Sequence, residues 1–360
     1  MKCTIPALLG VLLLAAPTVV QAQSGSGDNF DYTINPDDTN TITITRYTGT
    51  NAVVIIPTNI NNLLVTGIQN GGDGESISAF PWDTISITVP DSVTSIGSNA
   101  FLGCSLTNVI IGNGVTNIGE DAFFFCLSLA AITVDAQNEF YCSVNGVLFD
   151  KSQTTLIQFP TGLGGSYTIP GSVTCIGVDA FDSCHSLTNV TIGNSVASIG
   201  VNAFASCFSL TGISIPASVT YIGEFAFYAC FSLTSVYFDG NTPSVGSSVF
   251  NDDDTVTTYY LPGTTGWSLT FWGYPSSGPP AVLWNPFIQT GDGSFGVRSN
   301  QFGFNITGTT NIPIVVEACT NLASPVWTPL QTVTLTNGLF YFSDPQWTNY
   351  SGRFYSIQMP

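Results

Sequence analysis

The stretch SIGVNAFASCFSLTGISIP, residues 198–216, contains a phrase that this chain of 360 residues repeats. DAFDSCHSLTNVTIG (179–193) comes before it, and FAFYACFSLTSVYF (225–238) comes after it, with nearly the same wording. Full copies of the phrase begin at Ser92, Gly114, Ser172, Ser195 and Ser218. Consecutive copies are 22 or 23 residues apart, except for one step of 58 residues. A fixed period of this length is typical of a solenoid, in which each repeat stacks on its neighbours.

Each copy contains the pattern L-x-x-[VI]-x-[IVF], as in Leu210, Ile213 and Ile215. The alternation predicts a short β-strand whose apolar side chains are buried and whose intervening residues face outward. Stacked repeats place such strands in parallel, about 4.8 Å apart. The sequence therefore predicts a mainly β fold, a short leucine-rich-repeat solenoid built on a parallel β-ladder with one strand per turn.

The consensus SVTxIGxxAFxxCxSLTxVxIP closely resembles the BspA-like class of bacterial leucine-rich repeats, and five full copies carry the resemblance. Residues 143–174, which lie within the long step, are similar to a variant repeat of that class. Residues 31–68 are similar to the segment that opens such arrays. The resemblance implies a secreted or surface-attached protein that binds protein or glycan partners.

The chain divides into five segments by composition. Lys2, an apolar run and the small residues Val20 and Ala22 predict a signal peptide that is removed after Ala22. The later part alternates short strands with Gly, Asn and Pro turns, and it resembles the C-terminal β-modules of exported bacterial proteins. The predicted segments are a signal peptide, 1–22; an N-terminal cap and opening repeat, 23–90; the leucine-rich-repeat solenoid, 91–267, with a hairpin insertion at 135–174 and a C-terminal cap; a linker, 268–281; and a small all-β, sandwich-like module, 282–360.

Charge and composition narrow the classes of partner. Without residues 1–22 the chain keeps four cations against 23 acidic residues, a net charge of −19. A field of that sign repels nucleic acid and anionic lipid. Charged residues are nevertheless only 8% of the chain and apolar residues are 44%, which is enough to fill a core. We therefore expect an extracellular protein or glycan partner, no nucleic-acid partner and no membrane span.

The cysteines follow the repeat. The equivalent positions are Cys104, Cys126, Cys184, Cys207 and Cys230. They lie in the apolar half of each turn, where a free cysteine behaves as a small buried hydrophobe, so we expect a ladder of reduced thiols. Disulfides between turns are the alternative, because the spacing of turns falls within the permitted Cα separation. Outside the ladder, Cys142 and Cys175 are the pair that a disulfide would most plausibly join.

Catalytic signatures are absent from the sequence. The single histidine, His185, occupies a position that other copies fill with Leu or Phe, and no nucleophile elbow or phosphate-binding loop occurs. The acidic stretches at 251–254 and around Asp292 contain oxygen ligands suited to calcium, but they lack the spacing of a calcium-binding loop. Two carboxylates brought together by the fold would be enough for a glycosidase, and sequence alone does not decide whether such a pair exists.

The outward residues of the strands form the surface that every copy supplies. These residues are small and uncharged, so we expect them to bind a partner, with no cofactor, metal ion or catalytic residue involved. The predicted binding surface consists of Asn108, Ile110, Ala131, Thr133, Asn189, Thr191, Gly212, Ser214, Ser235 and Tyr237. The sequence thus predicts an exported, non-enzymatic binding or adhesion protein. A carbohydrate-active enzyme, or a structural or sorting role for the C-terminal module, is the alternative.

Overall fold

A computed structural model describes residues 29–69, 78–253, 255–268, 270–271 and 278–360. The predicted signal peptide lies outside these residues. The described chain is almost entirely β-structure and forms a stack of turns with a period of about 23 residues, followed by two further sheets. The mainly β solenoid with a C-terminal β-module that the sequence predicted is therefore confirmed.

The first ladder of the solenoid is built from the pattern L-x-x-[VI]-x-[IVF]. We call it the long-strand ladder. Its strands are β3 (Val53–Ile55), β6 (Ser86–Val89), β8 (Asn108–Ile111), β10 (Ala131–Val134), β14 (Gly165–Thr168), β16 (Leu187–Thr191), β18 (Gly212–Ile215), β20 (Ser235–Phe238), β22 (Thr257–Tyr260) and β23 (Ala281–Leu283). Neighbouring strands pair in parallel, in three sheets ordered β10-β8-β6-β3, β14-β16 and β18-β20-β22-β23.

A second ladder lies on another side of the turns, so the expectation of one strand per turn was wrong. We call it the short-strand ladder. Its strands are β1 (Phe30–Ile34), β2 (Thr41–Tyr47), β4 (Asn59–Ile60), β5 (Leu63–Ile68), β7 (Ser95–Ile96), β9 (Asn117–Ile118), β11 (Tyr141–Val144), β12 (Val147–Asp150), β13 (Thr155–Gln158), β15 (Cys175–Ile176), β17 (Ser198–Ile199), β19 (Tyr221–Ile222) and β21 (Ser244–Val245). Most are two residues long, too short for an alternating pattern to reveal them.

A glycine follows six of the two-residue strands, β7, β9, β15, β17, β19 and β21, because successive turns approach closely there. A Cβ atom added to Gly200 would lie 2.5 Å from the Gly177 carbonyl oxygen, and one added to Gly223 would lie 2.4 Å from the Val201 nitrogen. Both distances are below any normal contact of a Cβ atom. The invariant glycine of the IG dipeptide in the phrase is therefore a packing requirement of the stack.

Phenylalanine rings fill the core of the third side of the turns. The ring centroids of Phe204 and Phe227 are 5.3 Å apart and their planes differ by 3°. Phe181 stacks on the other face of Phe204, at 4.8 Å. All three rings are fully buried. The corner that carries them includes two left-handed residues per turn, such as Asn202 (φ 51°) and Ser206 (φ 57°), which allow the chain to reverse within a few residues.

The unit at 135–174 divides the solenoid core into two. β12 pairs antiparallel with β11 and β13, and β13 then joins β15 in parallel. Leu148 packs in the core of the N-terminal turns, whereas Val147 and Phe149 pack in the core of the C-terminal turns. Because adjacent side chains of a strand point to opposite faces, β12 is a wall shared by two separate cores.

The solenoid continues beyond the last full copy of the phrase. β21 pairs with β19, Phe250 stacks on Phe227 at 5.4 Å, and β22 pairs with β20. This additional turn places Asp253 where other turns have cysteine, which hides it from the consensus. β23 adds a last parallel strand beside β22.

Two antiparallel sheets form the C-terminal module. Their strands are β24 (Phe287–Ile288), β25 (Gly296–Arg298), β26 (Gln301–Thr307) and β29 (Leu339–Asp344) in one sheet, and β27 (Pro313–Cys319), β28 (Thr328–Thr334) and β30 (Phe354–Gln358) in the other; a 3-10 helix spans Trp347–Asn349. Apolar side chains of both sheets, among them Phe304, Ile314 and Phe342, form a common core. Asp344 ties the two sheets together, because it accepts bonds from Arg353 Nη1 at 2.7 Å and from the Tyr355 hydroxyl at 2.8 Å.

We predict that Phe204→Ala lowers the free energy of unfolding by about 3–5 kcal/mol, because it leaves a cavity between two stacked rings. Phe208→Ala is the matched control, since the Phe208 ring is 36% exposed, and it should cost less than about 1 kcal/mol. Urea titration of both variants measures the difference. Equal losses of unfolding free energy in the two variants would mean that the stack of buried rings does not stabilise the core.

Candidate binding face

The outward surface of the long-strand ladder, here called the strand face, contains the predicted binding residues in register. Asn108 and Ile110 of β8 lie beside Ala131 and Thr133 of β10. Gly212 and Ser214 of β18 lie beside Ser235 and Tyr237 of β20. Asn189 and Thr191 of β16 lie beside Ser166 and Thr168 of β14. The structure therefore arranges the ten residues in short rows, but the sheet that ends at β10 is separate from the sheets that contain β16 and β18.

The two halves of the strand face have different surroundings. In the N-terminal half, Ile110 is 39% exposed and Thr133 is also exposed. In the C-terminal half the residues become progressively covered, from exposed Asn189 and Thr191 to Tyr237, which is only 4% exposed. The covering element is the C-terminal module.

Tyr237 belongs to the core of the C-terminal module rather than to an open surface. Its ring stacks on Tyr259 at 5.1 Å, and both rings pack with Trp284 and the aliphatic side chains of the module. Burial raises the pKa of Tyr237 to about 12. Trp284 is held in turn, because its indole Nε1 donates to the Pro313 carbonyl at 2.7 Å. The expectation that Tyr237 faces a partner is wrong, since an element distant in sequence covers it.

A groove of ≈ 660 Å³ lies where the module meets the strand face. Its floor comes from β16, β18 and β20, and Met359 and Pro360, which follow β30, line it from the module side. It contains six of the predicted residues: Asn189, Thr191, Gly212, Ser214, Ser235 and, beneath the module, Tyr237. No charged side chain is among the lining residues, which are mainly Thr, Ser, Asn and aliphatic. The groove can therefore offer hydrogen bonds to a neutral ligand.

Threonine hydroxyls of the SLT tripeptide fasten one turn to the next beside the groove. Thr234 Oγ1 donates to the Thr211 carbonyl at 3.1 Å, and Thr107 Oγ1 donates to the Ile85 carbonyl at 3.3 Å in the N-terminal half. These bonds explain why threonine recurs at this position. The Thr234–Thr211 bond also links two of the turns that form the floor of the groove.

The cysteine ladder is buried, and its thiols are free. The Sγ atoms of Cys126, Cys207 and Cys230 donate to the carbonyls of Phe101, Phe181 and Phe204 in the preceding turns, at 3.0, 3.2 and 3.0 Å. Burial raises the pKa of every ladder thiol, and that of Cys104 to about 11. The sequence alone did not indicate the bond from each thiol to a carbonyl of the preceding turn. This bond favours cysteine over other small apolar residues, because those residues have no side-chain donor. Cys142 is also a free thiol, so the Cys142–Cys175 disulfide is not formed.

Carboxylates converge at one place, but not in a groove. Burial, and then the neighbouring charge of Asp121, raise the pKa of Asp179 to about 7, and burial raises that of Asp182 to about 6. These residues lie on the Ala-Phe corner of the turns. No Asp or Glu side chain lines the groove at the strand face, the cleft around Thr242 or the cleft around Val54. Asp179 and Asp182 are therefore partly to fully buried carboxyl groups that lie apart from these clefts.

The remaining polar candidates have structural surroundings. The His185 ring stacks on Phe208 at 4.3 Å, and burial lowers its pKa. Asp292 accepts from the Ser294 backbone and hydroxyl and from Asn305 Nδ2, which closes a turn in the module. Within the part of the chain that the structure describes, no cluster of three or more His, Cys, Asp or Glu residues could hold a metal ion.

The family model of the BspA-type leucine-rich repeat region matches residues 78–166 and 165–266, with six copies. The chain belongs to this family. Proteins of the family are generally not enzymes. No curated protein matches the chain.

Several solved structures are similar to this chain. The pneumococcal vaccine antigen PcpA is 20% identical, with 74% of this chain and 85% of that chain covered and a TM-score of 0.48. A leucine-rich cell surface protein from Faecalibacterium prausnitzii is 24% identical, with 65% and 86% covered and a TM-score of 0.39. The leucine-rich repeat protein of T. pallidum is 28% identical, with 64% and 87% covered and a TM-score of 0.35. Among the described residues, no helix has the length and apolar character needed to cross a bilayer.

We predict that the five ladder thiols resist alkylation in the native protein, because a buried, hydrogen-bonded thiol with a raised pKa forms little thiolate. Cys142 is only partly buried and serves as the internal control that reacts first. After unfolding without a reductant, all five ladder positions should be labelled. Mass spectrometry reads the sites, and a crosslink between Cys184 and Cys207 would contradict the prediction.

The raised pKa of Asp179 predicts a stability that falls with pH. The pKa of Asp179 in the folded protein, about 7, exceeds its ordinary pKa of 3.8. The folded state therefore holds the proton more tightly than the unfolded state does. The resulting stabilisation is complete below pH 3.8 and is lost as the pH rises through the folded pKa. Asp179→Asn should therefore raise the free energy of unfolding at alkaline pH and reduce its fall with increasing pH. Urea midpoints measured across the pH range test this. Asp292→Asn is the control, because the hydrogen bonds to Ser294 and Asn305 lower the pKa of Asp292, and that variant should show no alkaline stabilisation.

Proposed function

We propose that this protein is an exported, non-enzymatic binding protein that holds an uncharged, extended segment of an extracellular protein or glycan in the groove between the strand face and the C-terminal module. The observation that carries this proposal is the groove itself, ≈ 660 Å³ in volume and lined without a single charged side chain, in a chain whose net charge is −18. Export rests on the predicted signal peptide at 1–22, and a surface location rests on the family resemblance.

The chemistry of the lining supports a neutral partner. Hydroxyl and amide groups from Thr188, Asn189, Ser214 and Ser235 line the floor, while the aliphatic side chains between them are buried in the solenoid core. Such groups form neutral hydrogen bonds, which orient a ligand without the desolvation cost of a buried charge. A charged segment would lose hydration in the groove and find no side-chain counter-ion there.

The module gives the groove its second wall. Met359 packs against the core that contains Tyr237 and Tyr259, which fixes the end of β30 over the strand face. A ligand in the groove therefore contacts a prearranged surface on two sides. Prearrangement lowers the entropic cost of binding, because neither wall has to be ordered by the ligand.

Glycan and peptide arrays probed with the 23–360 chain identify a ligand and test the groove. Thr191→Arg with Ser214→Arg places two cations in the groove and should weaken binding to any ligand so found by at least about 100-fold. Thr133→Arg, on the same outward row in the N-terminal half, and His185→Phe are the matched controls and should leave the affinity within about threefold. If the double variant folds and binds normally, the groove is not the site.

The uncharged lining of the groove also predicts how the binding affinity depends on salt concentration. Because no charged side chain lines the groove, the affinity should change by less than about threefold between 50 and 500 mM NaCl. Isothermal titration of the array ligand at several salt concentrations measures this. A tenfold or larger loss at high salt would show that charged residues elsewhere carry the binding.

A further inference from the structure

The two ladders of the solenoid end differently at the N-terminal end. The short-strand ladder is covered by β1, which pairs antiparallel with β2 along its whole length. The long-strand ladder ends on β3, and β6 is the only described strand that pairs with β3. Among the described residues, nothing pairs with the second edge of β3, here called the open edge.

The hydrogen bonds of β3 show which backbone groups face that open edge. The Ser86 N–H donates to the Ala52 carbonyl at 3.2 Å, and the Ile56 N–H donates to the Thr88 carbonyl at 3.0 Å. Residues 52 and 56 therefore direct their backbone groups at β6. Since these groups alternate sides along a strand, those of Val53 and Ile55 point the other way. The open edge thus presents two N–H donors and two carbonyl acceptors that no described strand uses.

A cleft of ≈ 210 Å³ lies alongside the same edge. It is lined by β3, Pro57, the exposed Asn29 and Asn51, and the buried rings of Phe30 and Tyr47. None of these residues is charged. On the strand face, the side chains of Val53 and Ile55 are 62% and 72% exposed. A strand laid along β3 would place one set of side chains beside Val53 and Ile55 and the alternate set in the cleft.

We infer that the open edge of β3 binds an extended, uncharged segment of a partner protein by strand addition, with an apolar side chain at alternate positions to fill the cleft. Backbone hydrogen bonds supply the affinity in this mode, and the cleft supplies the selectivity. The partner segment would need the same alternation of side chains as β6, in which Ile87 and Val89 are buried while Ser86 and Thr88 are directed outward.

A second copy of this chain fits the edge less well than a free segment does. In a pair of β3 strands, Val54 of each copy stays in its own core, where it is 3% exposed. Neither copy would then place a side chain in the cleft of the other. The side chains of a free segment are not buried in a core of their own. Such a segment can therefore bond to the backbone groups of β3 and also place a side chain in the cleft.

The probe is the end-blocked, fluorescein-labelled peptide ISITVP, which copies residues 85–90, titrated with the 23–360 chain and followed by fluorescence anisotropy. We expect saturable binding. Replacing the inner Ile and Val of the peptide by Asp should weaken it at least tenfold. Two further peptides carry N-methyl groups on alternate backbone nitrogens, and only the one whose methyl groups face β3 should lose binding. No saturable binding, or equal binding by both methylated peptides, would overturn the inference.

Variants of the chain locate the site. Ile55→Lys places a charge on the open edge and should weaken peptide binding at least tenfold. Ile110→Lys, on the same outward row but two strands away, should not. Thr191→Arg with Ser214→Arg should also bind the peptide normally, which separates this site from the groove. Sedimentation of the unmodified chain completes the test, because a dimer that Ile55→Lys converts to a monomer would assign the edge to a second copy and refute the proposal.

Discussion

Backbone hydrogen bonding between equivalent positions of successive turns is the constraint on which this structure depends. It extends beyond the ladders, since the Phe181 N–H donates to the Ala203 carbonyl and the Phe204 N–H donates to the Ala226 carbonyl, both at 2.8 Å. Each residue therefore lies directly over its counterpart in the next turn. A side chain is acceptable only if it packs against a copy of itself, as the flat phenylalanine rings do, or bonds to the neighbouring turn, as the cysteine thiols do.

The same constraint explains the polar half of the phrase. A turn of about 23 residues must reverse direction several times, and two residues per turn adopt left-handed backbone angles to do so. Asn, Asp, Ser and Gly occupy most of these positions, which reflects their lower cost in that conformation. Phe125, Phe225 and Ala229 are exceptions. The stack on both sides holds them in angles that an isolated chain would avoid.

Much of the fold could be predicted from the sequence, because a repeated phrase reports a repeated environment. The long strands, the burial of the phenylalanines and the reduced cysteine ladder follow from period and alternation alone. The two-residue strands of the short-strand ladder were missed because two residues carry no periodicity. The turn containing Phe250 was predicted only as a C-terminal cap, because Asp253 replaces its cysteine. The rows of the strand face could be placed, but the groove could not. It depends on where a distant module packs, and nothing local to Tyr237 indicates that Trp284 and Tyr259 enclose it.

The shared wall at β12 has a consequence for how such a chain can change length. Leu148 completes one core and Val147 and Phe149 complete the other, so turns on either side meet a surface that the hairpin supplies. Duplication or loss of a turn within one block leaves the packing of the other block untouched. Genes for such arrays can therefore gain or lose repeats on each side independently, and an engineer can splice new turns into one block while keeping the groove in the other intact.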